Sequence, residues 1–241
     1  MATIGAKPGD RPGASPLETA LPPPGRVRPI DRLNVAWLTG LLTFAELAFA
    51  VVREPVRDAD QDLFGVLFSG DWLRPEGSIF HAQLMDDLLP LFNRLADLRT
   101  LALLGAAVVV AALLRGNRRG AVVTAGALLV IAPLGAFISN VLDRPAPYPV
   151  DGSGSFPSGH ATAAAVLVLC ATLLARPGRE RIVVGCVGCT LLLAAGLAVV
   201  ADGGHWPGDV IGGWLLALAG VSGLFALSRA VASRGAQTGG A

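Results

Sequence analysis

The sequence predicts an all-α fold, a six-helix transmembrane bundle with both termini in the cytoplasm. Three observations predict it. The 241 residues are 53% hydrophobic and only 15% charged, against about 25% charged in soluble domains. The apolar residues gather into six long segments. The basic residues gather at one set of segment ends.

Taken in order, residues 1–30 hold seven of the 17 prolines and no apolar cluster, which predicts a disordered Pro-rich cytoplasmic tail. The membrane domain follows over 31–228, with apolar segments near 33–52, 95–114, 120–142, 160–175, 182–201 and 209–227. About 20 helical residues cross a hydrocarbon core of roughly 30 Å. Backbone groups cannot stay unpaired in lipid, and the segments lack the alternation of barrel strands. Glu46 stands alone inside the first segment, and its role stays open. The long connection 53–94 mixes apolar and charged residues at helical spacing in 61–68 and 84–95. Those stretches read as interfacial helices, either packed on the bundle or covering a site. Residues 229–241 are Gly- and Ala-rich and read as a flexible tail.

With six crossings, the two tails share a side with the connections 115–119 and 176–181. These four pieces carry 13 of the 19 basic residues against four acids. The other side carries six arginines, 13 acids and all three histidines. The positive-inside rule therefore places both termini in the cytoplasm and turns 53–94, 143–159 and 202–208 outward. A net formal charge of +1 gives no support to a nucleic-acid partner. Cys170, Cys186 and Cys189 lie inside apolar segments and read as small embedded residues. The Cys186–Cys189 pair has no second pair or nearby histidine to complete a metal site.

Two polar clusters lie at the outward ends of the segments. The first is Asp143-Arg144-Pro145 with Ser155-Phe156-Pro157-Ser158-Gly159-His160, where the fourth segment begins. The free N–H groups of a helix start form an anion site with the helix dipole. Ser158 adds a hydroxyl, Gly159 permits close approach, Arg144 offers a planar fork suited to phosphate, and His160 a proton near neutral pH. The second cluster is His205-Trp206-Pro207-Gly208-Asp209. His205 and Asp209 are four apart, so the carboxylate can hold one ring nitrogen and leave the other free as nucleophile or base. Together the clusters describe phosphoryl transfer through a phosphohistidine. His81 has no such company and reads as a solvated loop residue.

On these residues the chain resembles the type 2 phosphatidic acid phosphatase superfamily of membrane enzymes. The resemblance rests on Arg144-Pro145, on Phe156-Pro157-Ser158-Gly159-His160, and on His205 with Asp209 followed by Val210, Ile211, Gly212 and Gly213. It spans roughly 33–227. It implies a metal-independent lipid phosphate phosphatase in the cell membrane, with its site facing the extracytoplasmic side and no cofactor. Its implied partners are a lipid phosphate substrate and membrane lipids, with no nucleic acid. His205 would attack phosphorus, Asp209 would orient it and His160 would protonate the leaving oxygen. Arg144, Ser158 and Gly159 would bind the phosphoryl group, with no metal ligand. The family's first motif is a Lys, six residues, then Arg-Pro, and here the Lys position holds Phe137 (Ser139 if the pair is Ala146-Pro147). The third motif has an Arg six residues before its His, and here that position holds Val199. Arg94 and Arg99 are candidate replacements, and Asp202 makes a dianion less welcome. The alternative is a catalytically degenerate relative that binds or transports a lipid phosphate or supports a partner.

Overall fold

In the computed structural model, the described residues are 31–53, 56–68, 89–147, 154–201 and 203–238. They form eight helices and, among themselves, no strand. The helices are α1 (Arg32–Val52), α2 (Arg57–Phe68), α3 (Leu89–Ala96), α4 (Leu98–Leu114), α5 (Arg118–Leu142), α6 (Gly159–Leu174), α7 (Arg179–Ala201) and α8 (Pro207–Thr238). By length and composition α1, α5, α7 and α8 can each cross a membrane, while α4 and α6 are shorter apolar helices. These six coincide with the six apolar segments of the sequence. Such agreement follows because an 18-residue apolar run is satisfied in lipid only as a helix.

Two boundaries differ from expectation. α8 runs on to Thr238, where the sequence reading has a loose tail from Arg229. Ala, Ser and Arg fill most of that stretch, and such residues extend a helix already nucleated by packing. In the outer connection, α2 covers the first amphipathic stretch and α3 the second half of the other. His81 and Asp202 lie outside the described residues.

α6 is the central helix. It packs against α4, α5, α7 and α8, while α1 lies along α8. Its consecutive buried residues Ala161–Leu167 and Cys170 are small or aliphatic all round, as a helix enclosed by others requires. Phe156, Ile131, Leu216 and Val221 join it in the main core. Phe156 is fully buried and stacks on Phe44 of α1 at 6.0 Å between ring centroids. That contact fixes the loop entering α6. Outward-facing apolar side chains such as Leu129, Phe137 and Ile182 are more than 60% exposed, as lipid-facing positions are.

α6 and α8 approach closely at Gly213. A Cβ there would lie 2.8 Å from the Ser158 carbonyl oxygen and 3.0 Å from the Thr162 nitrogen. Both are backbone atoms that cannot turn aside. Gly213→Ala is expected to cost about 1–3 kcal/mol through overpacking, seen as a lower Tm in detergent. An unchanged Tm would show that the two helices can part without loss.

Candidate active site

Both polar clusters converge on the N-terminal ends of α6 and α8. Ser158 is the N-cap of α6. Its Oγ accepts from the Ala161 N–H at 3.3 Å, and its own N–H donates to the Asp209 carbonyl at 3.0 Å. The side chain is fully buried, so its hydroxyl serves the helix start. Among the described residues no hydrogen bond engages the Gly159 and His160 N–H groups, and a Cβ at Gly159 would meet nothing within 4 Å. That open helix start leaves two N–H donors unused where the sequence leads one to expect an anion cradle.

α8 starts differently. Trp206 sits where Ser, Thr, Asp or Asn usually caps, and it offers no acceptor. Two carboxylates supply what it lacks. Asp209 reaches back to the Trp206 N–H at 2.8 Å, and Asp60 of α2 accepts from the Gly208 N–H at 2.8 Å. Asp60 is only 4% exposed and Asp209 is fully buried.

Arg144 joins them. Its Nη1 donates to Asp209 at 2.6 Å and its Nη2 to Asp60 at 2.7 Å. The guanidinium is 11% exposed and lies 5.7 Å from the Trp206 ring centroid. The Trp206 indole N–H donates to the Pro145 carbonyl at 2.8 Å, and its ring meets Phe64 edge-on at 5.3 Å. Buried charges of this kind fix geometry more than they add stability. Asp60 and Phe64 were not singled out by sequence reasoning, and Trp206 stood in the second cluster without a role of its own. The one available signal was that Asp60 and Phe64 lie one helical turn apart.

His205 is placed next to Asp209, but the carboxylate is not its hydrogen-bond partner. Nδ1 lies 3.8 Å from Asp209 Oδ2 and 3.0 Å from the Ser155 carbonyl oxygen. A carbonyl oxygen only accepts, so Nδ1 carries the proton and the neutral ring presents a bare Nε2. Ser155 is itself pinned, its N–H donating to the Arg144 carbonyl at 2.7 Å. His160 sits at the exposed start of α6. It is within electrostatic range of His205 on one side and Asp97, the N-cap of α4, on the other.

The remaining expected residues stay apart. Phe137 is 65% exposed, and Val199 packs beside Ala161 and Val210, so neither position holds a cation. Arg94 and Arg99 are exposed, and among the described residues no ion pair or hydrogen bond joins their side chains to the cluster. Glu46 is exposed on α1. Among the described residues no group of three His, Cys, Asp or Glu side chains could hold a metal ion.

No curated protein matches this chain. Among solved structures, the fold is similar to the one described as the first transmembrane PAP2 type phosphatidylglycerolphosphate phosphatase from Bacillus subtilis. The TM-score is 0.63 at 19% sequence identity, covering 82% of this chain and 96% of that one. With its apolar helices, this fold makes the chain a multi-pass membrane protein. Residues 139–232 match the PAP2 superfamily. The resemblance drawn from the motifs therefore holds, and the stretch that matches the PAP2 superfamily contains every candidate catalytic and substrate-binding residue.

Proposed function

We propose that the protein is an integral membrane phosphatase. It hydrolyses a lipid-linked phosphate or diphosphate at the outer face of the membrane, through a phosphohistidine on His205 and without metal. The observation that carries this reading is the His205 ring, held through Nδ1 by the Ser155 carbonyl, with no hydrogen bond to Nε2 among the described residues. The charge distribution supports the orientation. α4 and α6 complete six crossings at 17 and 16 residues, near the lower limit for a span. The Pro-rich 1–30 and the end of α8 then lie in the cytoplasm.

The Nε2 lone pair attacks phosphorus as the phosphorus–oxygen bond to the lipid breaks. His160 gives its proton to the leaving oxygen. In the second half, neutral His160 takes a proton from water as that water's oxygen attacks phosphorus and the phosphorus–nitrogen bond breaks. Phosphate leaves, and both histidines return to their starting states. The Gly159 and His160 N–H groups cradle the transferring phosphoryl group. Arg144 has five N–H donors, of which two are spent on Asp60 and Asp209. Among the described residues the others make no hydrogen bond, and they serve phosphate oxygens. Asp209 acts mainly through Arg144, and its charge near the ring favours the imidazolium character that develops at His205 during attack.

A second reading has a specific observation behind it. Arg144 is shared with two carboxylates, and positions 137 and 199 carry no charge. Losing one preorganised oxyanion donor typically costs about 10²–10³ in rate, so a catalytically degenerate lipid-phosphate binder is the competitor. Phosphate release separates them. Purified protein in detergent, with a strong chelator, is offered glycerolipid and prenyl phosphates and diphosphates. Metal-free release above background is expected. Silence from a folded protein that still binds a lipid phosphate would favour the competitor.

A further inference from the structure

The turns at the other end of α6 enclose a second, separate feature. Ser158 caps α6 at the candidate site and Ala175 closes it at the far end. Its 16 residues set these about 24 Å apart at 1.5 Å per residue. At that far end, the ends of α4, α6 and α7 bound a cleft of about 660 Å³. Toward the bundle its wall is apolar, with Val108, Leu174 and Val184. Its rim holds Arg115, Arg176 and Arg181 against a single carboxylate, Glu180. Three guanidiniums and one carboxylate leave two positive charges in excess.

The rim's donors are incompletely used. Arg115 meets Glu180 at 3.0 Å, while Arg176 lies 3.9 Å from the other carboxylate oxygen. Arg181 donates through Nη2 to the Leu173 and Ala175 carbonyls at 3.3 and 2.9 Å, which ties it to the C-terminus of α6. Among the described residues its buried Nε has no hydrogen-bond partner. A buried orphan donor is uncommon in a finished structure and points to an acceptor that arrives from outside.

We propose that this cleft binds an acidic glycerophospholipid. One acyl chain lies in the apolar depth between α4, α6 and α7, and the phosphodiester takes donors from Arg115, Arg176 and Arg181. Both halves of the cleft are needed for this choice. A soluble anion would use the rim alone, and a zwitterionic lipid would bring its own ammonium to a rim already rich in cations. The site is distinct from the candidate active site and does not depend on the phosphatase reading.

The test uses the full chain, delipidated in a neutral detergent, with dioleoyl phosphatidylglycerol, dioleoyl phosphatidylcholine or inorganic phosphate added. Thermal unfolding and native mass spectrometry read stabilisation and bound lipid. Phosphatidylglycerol alone is expected to be retained and to raise Tm. Arg115→Gln with Arg176→Gln should weaken retention about 25-fold, at about fivefold per arginine. Both side chains are substantially exposed, so folding should survive. Ala111→Trp, at an exposed position lining the cleft, fills the apolar part and should displace the lipid independently. An equal response to phosphatidylcholine or to inorganic phosphate would overturn the proposal. So would a phosphatidylglycerol preference that persists in both the double variant and Ala111→Trp.

Discussion

His205→Ala is expected to lower phosphate release by at least about 10³-fold while leaving the protein folded. The side chain is 18% exposed, and its one hydrogen bond among the described residues is to the Ser155 carbonyl. The ring itself is partly exposed, so water can enter the space it leaves and meet that carbonyl. The variant therefore loses little beyond the group itself. Removing a covalent nucleophile abolishes the two-step route and leaves only what binding and oxyanion donors provide. His205→Asn separates the roles further, because it can keep a donor toward Ser155 but has no basic nitrogen. It should be as inactive as the alanine variant. Retained turnover in either variant would remove His205 from the chemistry.

Asp60 carries the second large effect. Asp60→Ala removes acceptors from both the largely buried Arg144 side chain and the buried Gly208 N–H, hydrogen-bonded to it at 2.7 and 2.8 Å. Losing charge-assisted hydrogen bonds at a buried arginine should cost about 2–4 kcal/mol of stability. Asp60→Asn keeps an acceptor for Gly208 and the side-chain volume but gives up the charge. It should fold with a smaller loss and turn over about 10–10²-fold more slowly, because Arg144 is then held on one side only. KM should not rise, since the change removes a negative charge near an anionic substrate. Steady-state kinetics on folded Asp60→Asn checks this. Wild-type kcat would show that Asp60 only caps α8, and a raised KM with unchanged kcat would assign it to substrate binding.

The six apolar helices were legible because hydropathy is a local property, and the helix boundaries at 52, 114, 142 and 201 follow from where it stops. The end of α8 was not legible. Gly235 looks like part of a tail in isolation, yet α8 is already nucleated by its contacts with α1 and α6. At the site, the sequence placed His205, His160, Asp209, Arg144 and Gly159 at one end of the bundle because each flanks a segment boundary. It could not name the partners. The spacing of His205 and Asp209 fits a direct hydrogen bond, but Arg144 and the Trp206 N–H take the carboxylate. The ring goes to a backbone carbonyl, which has no signature in sequence. Asp60 lies between Asp58 and Asp62, and only the docking of α2 on α7 and α8 decides which of the three turns inward.

Trapping the intermediate tests the central claim most directly. Acid-labile phosphoryl-enzyme would be captured by rapid quench under alkaline conditions from a substrate labelled in its phosphate, then mapped by mass spectrometry. The account predicts label on His205, at Nε2 because Nδ1 is engaged by Ser155, and none in His205→Ala. Label on His160 or on a carboxylate, or full turnover with no trapped phosphoryl group, would contradict it.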